Sequence, residues 1–229
     1  MENKTPTVPV EPRHASSLLI YRSGADGADD DPEILLGRRP KGSRFMPDVF
    51  VYPGGAVDAG DADIKPASPL ARAIVERLQP SCDAVSATTL AVAAVRETFE
   101  ETGLILGADG DIGAAKDPSW QSFKDRSIAP SLAPLRYIGR AITPAYRPRR
   151  FHARFFAVDM SHLKGSLVET DELIELDWFR ARRTGDLPMA DVTRYMLEQL
   201  LSMLEADDNW IGTSVFTHKD GKRFVQHDT

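Results

Sequence analysis

Arg96-Glu97-Thr98-Phe99-Glu100-Glu101-Thr102-Gly103-Leu104 sets three carboxylates on one helical face and then stops the helix. At about 100° per residue, Glu97, Glu100 and Glu101 fall within roughly a 100° arc. Val92, Val95 and Phe99 take the opposite side, where a core needs them. Like charges three and four positions apart repel by about 0.2–0.5 kcal/mol per pair, so the helix gains nothing locally from the clustering. A group of hard oxygen ligands is what Mg²⁺ or Mn²⁺ requires. The bland alternative is a solvated charged face. With each residue type at roughly 6–7% of average composition, R-E-x-x-E-E-x-G arises by chance in about one chain of this size in several thousand. The stretch therefore reads as metal-binding.

Around it the pattern alternates strands and helices. Residues 86–102 form the helix that carries the acids, and Gly103 ends it in the left-handed cap role. Upstream, Ser68-Pro69 predicts an N-cap and a proline at the first helical position. The stripe Leu70, Ile74, Val75, Leu78 then continues to Gln79, and Pro80 stops the helix. Residues 15–23 and 33–39 read as strands joined by a Gly/Asp-rich hairpin at 24–32, whose aspartates lack the spacing and closing Glu of a calcium loop. Residues 49–52 form a short strand entering the tight turn Pro53-Gly54-Gly55. Residues 136–143 and 151–158 alternate as a strand pair, and 173–179 is another strand. Residues 192–204 form a helix with Tyr195, Met196, Leu200 and Leu204 on its apolar side, and 210–225 close a hairpin around Asp220-Gly221. The interleaving predicts an α/β fold with a mixed sheet covered by helices. One domain over residues 15–229 is expected, with a helical segment inserted at about 62–85, behind a disordered tail at 1–14.

Composition narrows the function classes. A chain of 229 residues with 42% hydrophobic and 27% charged content can bury a real core. Its net charge of −6 argues against nonspecific binding to nucleic acid or an anionic membrane, although a metal can recruit an anionic substrate. Cys82 is the sole cysteine, which excludes an internal disulfide and fits a reducing cytoplasm; it reads as a packing residue. The reading expects no leader, no membrane span and no targeting address at Gln226-His227-Asp228-Thr229. A homodimer is compatible with the sequence. No G-x-S-x-G elbow, H-E-x-x-H or cysteine cluster competes with the acidic helix, the five histidines lack ligand spacing, and His152 reads as strand surface. By contrast, residues 134–158 hold six arginines and no acid. That is a local positive field suited to phosphate groups, or else a set of edge-strand charges.

These residues resemble the signature of the Nudix hydrolases, G-x5-E-x7-R-E-U-x-E-E-x-G-U with U apolar. Gly55 takes the glycine and Asp61 the place of the first Glu; Arg96, Glu97, Glu100, Glu101, Gly103 and Leu104 fill the second half, with Thr98 in the first U slot. Ala93-Ala94 also matches the family habit, and by helical phase these small residues lie under the carboxylate face, where the glycine turn must approach. Between Asp61 and Arg96 stand 34 residues rather than seven, and the extra 27 must hold the first helix. A folded insert can still bring turn and helix together. An insertion after a Pro-Gly-Gly turn is similar to the peroxisomal coenzyme A diphosphatases and their bacterial relatives. That branch shows L-L-T-x-R-[SA]-x3-R-x3-G-x3-F-P-G-G. Leu35-Leu36, Arg39, Arg44 and Pro53-Gly54-Gly55 match it at the right spacing, while Gly37, Pro40, Asp48 and Tyr52 depart.

The resemblance, which runs over roughly residues 16–178, implies a Nudix-type α/β/α sandwich. It also implies Mg²⁺- or Mn²⁺-dependent hydrolysis of a pyrophosphate linkage in a nucleoside diphosphate-X substrate. Coenzyme A or an acyl-CoA leads, giving 3′,5′-ADP and a phosphopantetheine; ADP-ribose or NADH is the alternative. A noncatalytic nucleotide-binding module is a third reading, disfavoured because such modules usually lose an acid and this helix keeps all three. Glu97, Glu100 and Glu101 are assigned to the metal, with the Gly55 carbonyl. Arg96, at i−4 from Glu100, is placed to orient it. The family draws a further carboxylate from a loop before a strand-ending Trp; Glu172, six residues ahead of Trp178, is chosen as general base or extra ligand, with Glu169 in reserve. Arg44, Arg149, Arg150 and Arg154 are assigned to substrate phosphates.

Overall fold

The computed structural model describes residues 10–23, 31–82, 85–206, 214–219 and 222–227. Its strands and helices follow in chain order as β1 (Arg13–Arg22), β2 (Glu33–Arg38), β3 (Phe50–Val51), β4 (Gly54–Ala56), α1 (Arg72–Leu78), α2 (Ala87–Thr102), β5 (Gly107–Asp109), α3 (Gln121–Asp125), β6 (Ile128–Pro130), β7 (Arg136–Ile142), β8 (Phe151–Asp159), β9 (Ile174–Arg180), α4 (Asp191–Glu205), β10 (Ser214–Lys219) and β11 (Lys222–His227). The main sheet runs β11-β10-β7-β8-β1-β2-β3, with β4 also on β1 and β9 on β2. The β1–β8 and β7–β10 pairs are parallel and the others antiparallel, so the sheet is mixed.

Alternation along β1 explains why helices cover both faces. Leu18 and Ile20 join Phe156 and Val158 under α2, in a cluster with Leu90, Ala91, Val95 and the insert's Ile64, Leu70, Ile74 and Leu78. Leu19 faces the other way with Leu36, Phe155 and Ala157, against Tyr195, Met196, Leu200 and Met203 of α4. The fold is an α/β/α sandwich. At α2 the termini obey local rules: the Ser86 hydroxyl accepts the Thr89 N–H at 3.0 Å, and Gly103 closes the helix at φ 75°.

Several boundaries differ from the sequence expectation. Strand β1 begins at Arg13, so His14 belongs to the sheet rather than to a tail, because its parallel partner β8 extends the ladder to Arg13–Phe151. Residues 1–9 and 207–213, the body of the 24–32 turn and the Asp220-Gly221 turn lie outside the described residues. Helix α1 starts at Arg72, not at Ser68. Ser68 is engaged elsewhere: its hydroxyl meets that of Ser131 at 2.9 Å and accepts the Ala133 N–H at 3.1 Å. The small antiparallel pair β5–β6 and helix α3 were not foreseen. No described helix is long and apolar enough to cross a membrane.

Candidate metal and substrate site

The Gly54-Gly55 turn is pressed into α2. Strand β4 lies antiparallel on β1, with Gly55 opposite Ser16 and Gly54 opposite Ser17. Gly54 adopts φ 154°, and a Cβ there would stand 2.6 Å from the Ser17 Cα. A Cβ on Gly55 would meet the Glu97 carboxylate at 2.5 Å, so only a hydrogen leaves that carboxylate its place. Next to it, Glu101 accepts the Gly54 N–H at 2.7 Å.

Arg96 is the hub. It is 2% exposed, and all five of its N–H groups are used. Nε donates to Asp61 Oδ1 at 2.8 Å and Nη2 to Asp61 Oδ2 at 3.0 Å; Nη2 also donates to the Ala56 carbonyl at 2.9 Å. Nη1 donates to Glu97 at 2.9 Å and to Glu100 at 2.8 Å. One planar fork thus fixes the helix acids, the turn and Asp61 relative to one another.

The three acids differ in environment. Glu101 is 3% exposed, and burial pushes its carboxyl up to about 8, against the pull of the Gly54 N–H. Burial likewise raises Glu97 to about 7, against the opposing Arg96 charge. Glu100 is the outermost, with a third of its side chain open to solvent. Glu172 raises the pKa of both Glu97 and Glu101 through its charge, which sets this loop carboxylate within electrostatic reach of the helix acids. Glu169 instead accepts the Leu176 N–H at 3.2 Å and holds its own loop. Among the described residues, no three acidic, histidine or cysteine side chains already converge as a cation cage. Glu97 and Glu100 turn to Arg96, and Glu101 to Gly54. The donor set nevertheless fits a hard divalent ion. It is all oxygen, and burial makes ionising Glu97 and Glu101 costly, a cost that a bound cation would offset.

The arginines separate into three groups. Arg44 and Arg149 line a cleft of about 810 Å³, together with Arg147, Phe45, Tyr146 and the start of α4. Arg150 is a staple, donating to the Thr143 carbonyl at 2.9 Å and to the Val10 carbonyl at 2.6 Å. Arg154 is wholly buried, bonded to the carbonyls of His152 and Ser81 and to His14 Nδ1. Arg154 is thus enclosed away from any substrate, which corrects its assignment, while Arg150 spends Nε and Nη1 on backbone carbonyls. His152 is also corrected. It is buried rather than surface, and burial, then the charges of Arg154, Arg140 and His14, lower its pKa to about 3.

Sequence reasoning missed two residues of the site and left a third without a role. The charge of Arg39, at the end of β2, lowers the Glu101 pKa, and its Nε is buried without a hydrogen-bond partner. The signal was present, since Arg39 fills the first arginine of the second signature. Asp61 was matched by spacing, but its clasp on Arg96 was not assigned. Trp120, whose indole N–H points to Asp61 Oδ1 at 3.3 Å, gave no sequence signal.

No protein-family model matches the chain. Among curated proteins, it is 26% identical to a putative nudix hydrolase 7 of Caenorhabditis elegans over 164 residues, 67% of this chain and 48% of that protein. It is 32% identical to the Gallus gallus acyl-coenzyme A diphosphatase NUDT19 over 128 residues, 43% of this chain and 33% of that one. The chain thus spans a third to a half of these relatives' length. Among solved structures, a NUDIX hydrolase from Alicyclobacillus acidocaldarius superposes with a TM-score of 0.65 and 28% identity, covering 86% of this chain and 96% of that one. With the same sandwich and relatives of the same kind in both comparisons, the chain has the fold of the Nudix hydrolases and is similar to them in sequence.

Proposed function

We propose that this protein hydrolyses the pyrophosphate linkage of a nucleoside diphosphate-X substrate, with coenzyme A or an acyl-CoA as the leading candidate. The observation that carries the proposal is the set of Glu97, Glu100 and Glu101, locked against the Gly54-Gly55 turn through Arg96 and the Gly54 N–H. Those three acids and the Gly55 carbonyl would hold Mg²⁺ or Mn²⁺. Such an ion, when bound, neutralises phosphate oxygens and lowers the pKa of a coordinated water. Water attacks one phosphorus, the bridging P–O bond breaks, and Glu172 takes the released proton. Arg39 is suited to a substrate phosphate oxygen beside Glu101, and Arg44 and Arg149 to the nucleotide's further phosphate in their cleft. The coenzyme A preference is supported by Leu35-Leu36, Arg39, Arg44 and Pro53-Gly54-Gly55, and by the acyl-coenzyme A diphosphatase among the relatives. The same proposal has the protein acting in the cytoplasm on a small nucleotide, not on nucleic acid or a membrane.

Purified protein incubated with Mn²⁺ or Mg²⁺ and coenzyme A, ADP-ribose, NADH and nucleoside triphosphates tests this directly. Release of 3′,5′-ADP from coenzyme A is the expected result. Preferential turnover of ADP-ribose or NADH would transfer the same chemistry to another substrate. Nucleotide binding without turnover of any compound would overturn the enzyme reading in favour of a binding module.

A smaller change probes the turn. Gly55→Ala inserts a methyl group where the Glu97 carboxylate sits, 2.5 Å from the new atom. A displacement of about 1 Å costs catalysis about 10²-fold, so turnover is expected to fall by that factor with the α2 fold unchanged by circular dichroism.

A further inference from the structure

The Asp61 side chain is fully buried, and its carboxylate takes four donors. Two come from Arg96, one is the Asp58 N–H at 2.9 Å, and one is the Trp120 indole N–H at 3.3 Å. The first three are local or belong to the Nudix signature. Trp120 does not: it comes from the segment after α2, on a one-turn 3-10 helix, Pro118–Trp120. That turn is set closely against the Asp61 turn, since a Cβ on Gly60 would meet the Asp117 Cβ at 2.8 Å. The indole packs at a tilt on Phe123, with 4.9 Å between ring centroids, and Phe123 packs edge-on at 5.3 Å against Phe99 of α2. The segment therefore touches both ends of one linkage, the carboxylate that grips Arg96 and the helix from which Arg96 projects.

We infer that Trp120 is a positioning residue for the metal-binding acids, acting through Asp61 and Arg96. A buried carboxylate with one donor removed re-optimises toward those left, and Arg96 must follow because both of its donors to Asp61 sit on the same rigid fork. Moving the fork moves Glu97 and Glu100, which share its third nitrogen. Asp is one methylene shorter than the Glu of the family signature at this position. A donor from outside the signature gives that shorter carboxylate a second partner on Oδ1, the oxygen that Arg96 Nε also holds. The inference rests on the proposed role of Glu97 and Glu100 as cation ligands, while the linkage itself can be read without any cation.

Trp120→Phe is the test, since phenylalanine keeps an aromatic ring against Phe123 and removes the N–H. In the metal-free protein, solvent exchange of the Arg96 Nε–H, followed by ¹⁵N NMR, is expected to accelerate about ten-fold. In the loaded protein, Mn²⁺ affinity by calorimetry and kcat should each fall about ten-fold with KM for substrate within about two-fold, the range of partners that orient metal ligands. Trp120→His, which can restore a donor, is expected to recover part of the loss. A double-mutant cycle with Asp61→Asn should be strongly non-additive, because both changes act on one linkage. Unchanged Arg96 exchange in Trp120→Phe, or additive effects in the cycle, would overturn the inference. If the wild type turns over no substrate while the exchange still accelerates, the positioning linkage stands and the proposed reaction falls.

Discussion

Glu100→Gln is expected to lower turnover by at least about 10²-fold, since it removes the charge of a metal-holding acid and not merely a partner that orients one, with little loss of stability. The asymmetry follows from where Glu100 sits. One oxygen accepts Arg96 Nη1 at 2.8 Å, and a third of the side chain is open. Glutamine keeps the shape and an acceptor for that bond, so the native state should lose no more than about 1 kcal/mol. It removes the negative charge, and an amide oxygen holds a divalent ion less strongly than a carboxylate. Paired measurements of kcat with Mn²⁺ and of the thermal midpoint check both halves. Near-normal kcat would remove Glu100 from the chemistry.

Arg96→Leu should show the opposite balance, a loss of folding free energy as well as of activity. Breaking a buried ion pair from one side costs about 3–5 kcal/mol because the partner charge is left uncompensated. Here that partner is Asp61, 1% exposed, which would keep only the Asp58 and Trp120 donors. Glu97 would lose its counter-charge as well. Urea denaturation of Arg96→Leu should therefore report a loss of that size. The double variant Arg96→Leu, Asp61→Leu should regain part of it while staying inactive. A loss below about 1 kcal/mol in the single variant would show that the clasp is not structural.

What could be read in the chain beforehand was mostly what depends on short range. The acids share a face because the helical period puts them there, and Ser86 and Gly103 mark its ends by chemistry confined to one turn. The alternation in β1, β7 and β8 likewise gave strands and the β7–β8 pair, while the parallel β1–β8 ladder carried no local signal. Misreadings came where a distant partner overrides a local preference. Ser68 has the sequence of an N-cap but is taken by Ser131, 63 positions away. Arg150 and Arg154 look identical to Arg149 in a list of charges, yet backbone carbonyls claim the first two and the cleft receives the third. Trp120 was invisible because 59 residues separate it from Asp61, and no spacing rule spans that gap. Asp61 itself stood 35 positions from Arg96, too far for a motif to establish contact, though near in space once the insert folds.

The insert has a mechanical consequence. Twelve of the sixteen residues of α2 are buried, and Ile64, Leu70, Ile74 and Leu78 of the insert share its core cluster with the sheet residues. A helix enclosed in this way does not fray on its own; its amide hydrogens escape only when the whole sandwich opens. The acidic trio therefore rides on an enclosed helix, and an arriving cation has side chains to turn from Arg96 and Gly54 but no backbone to order.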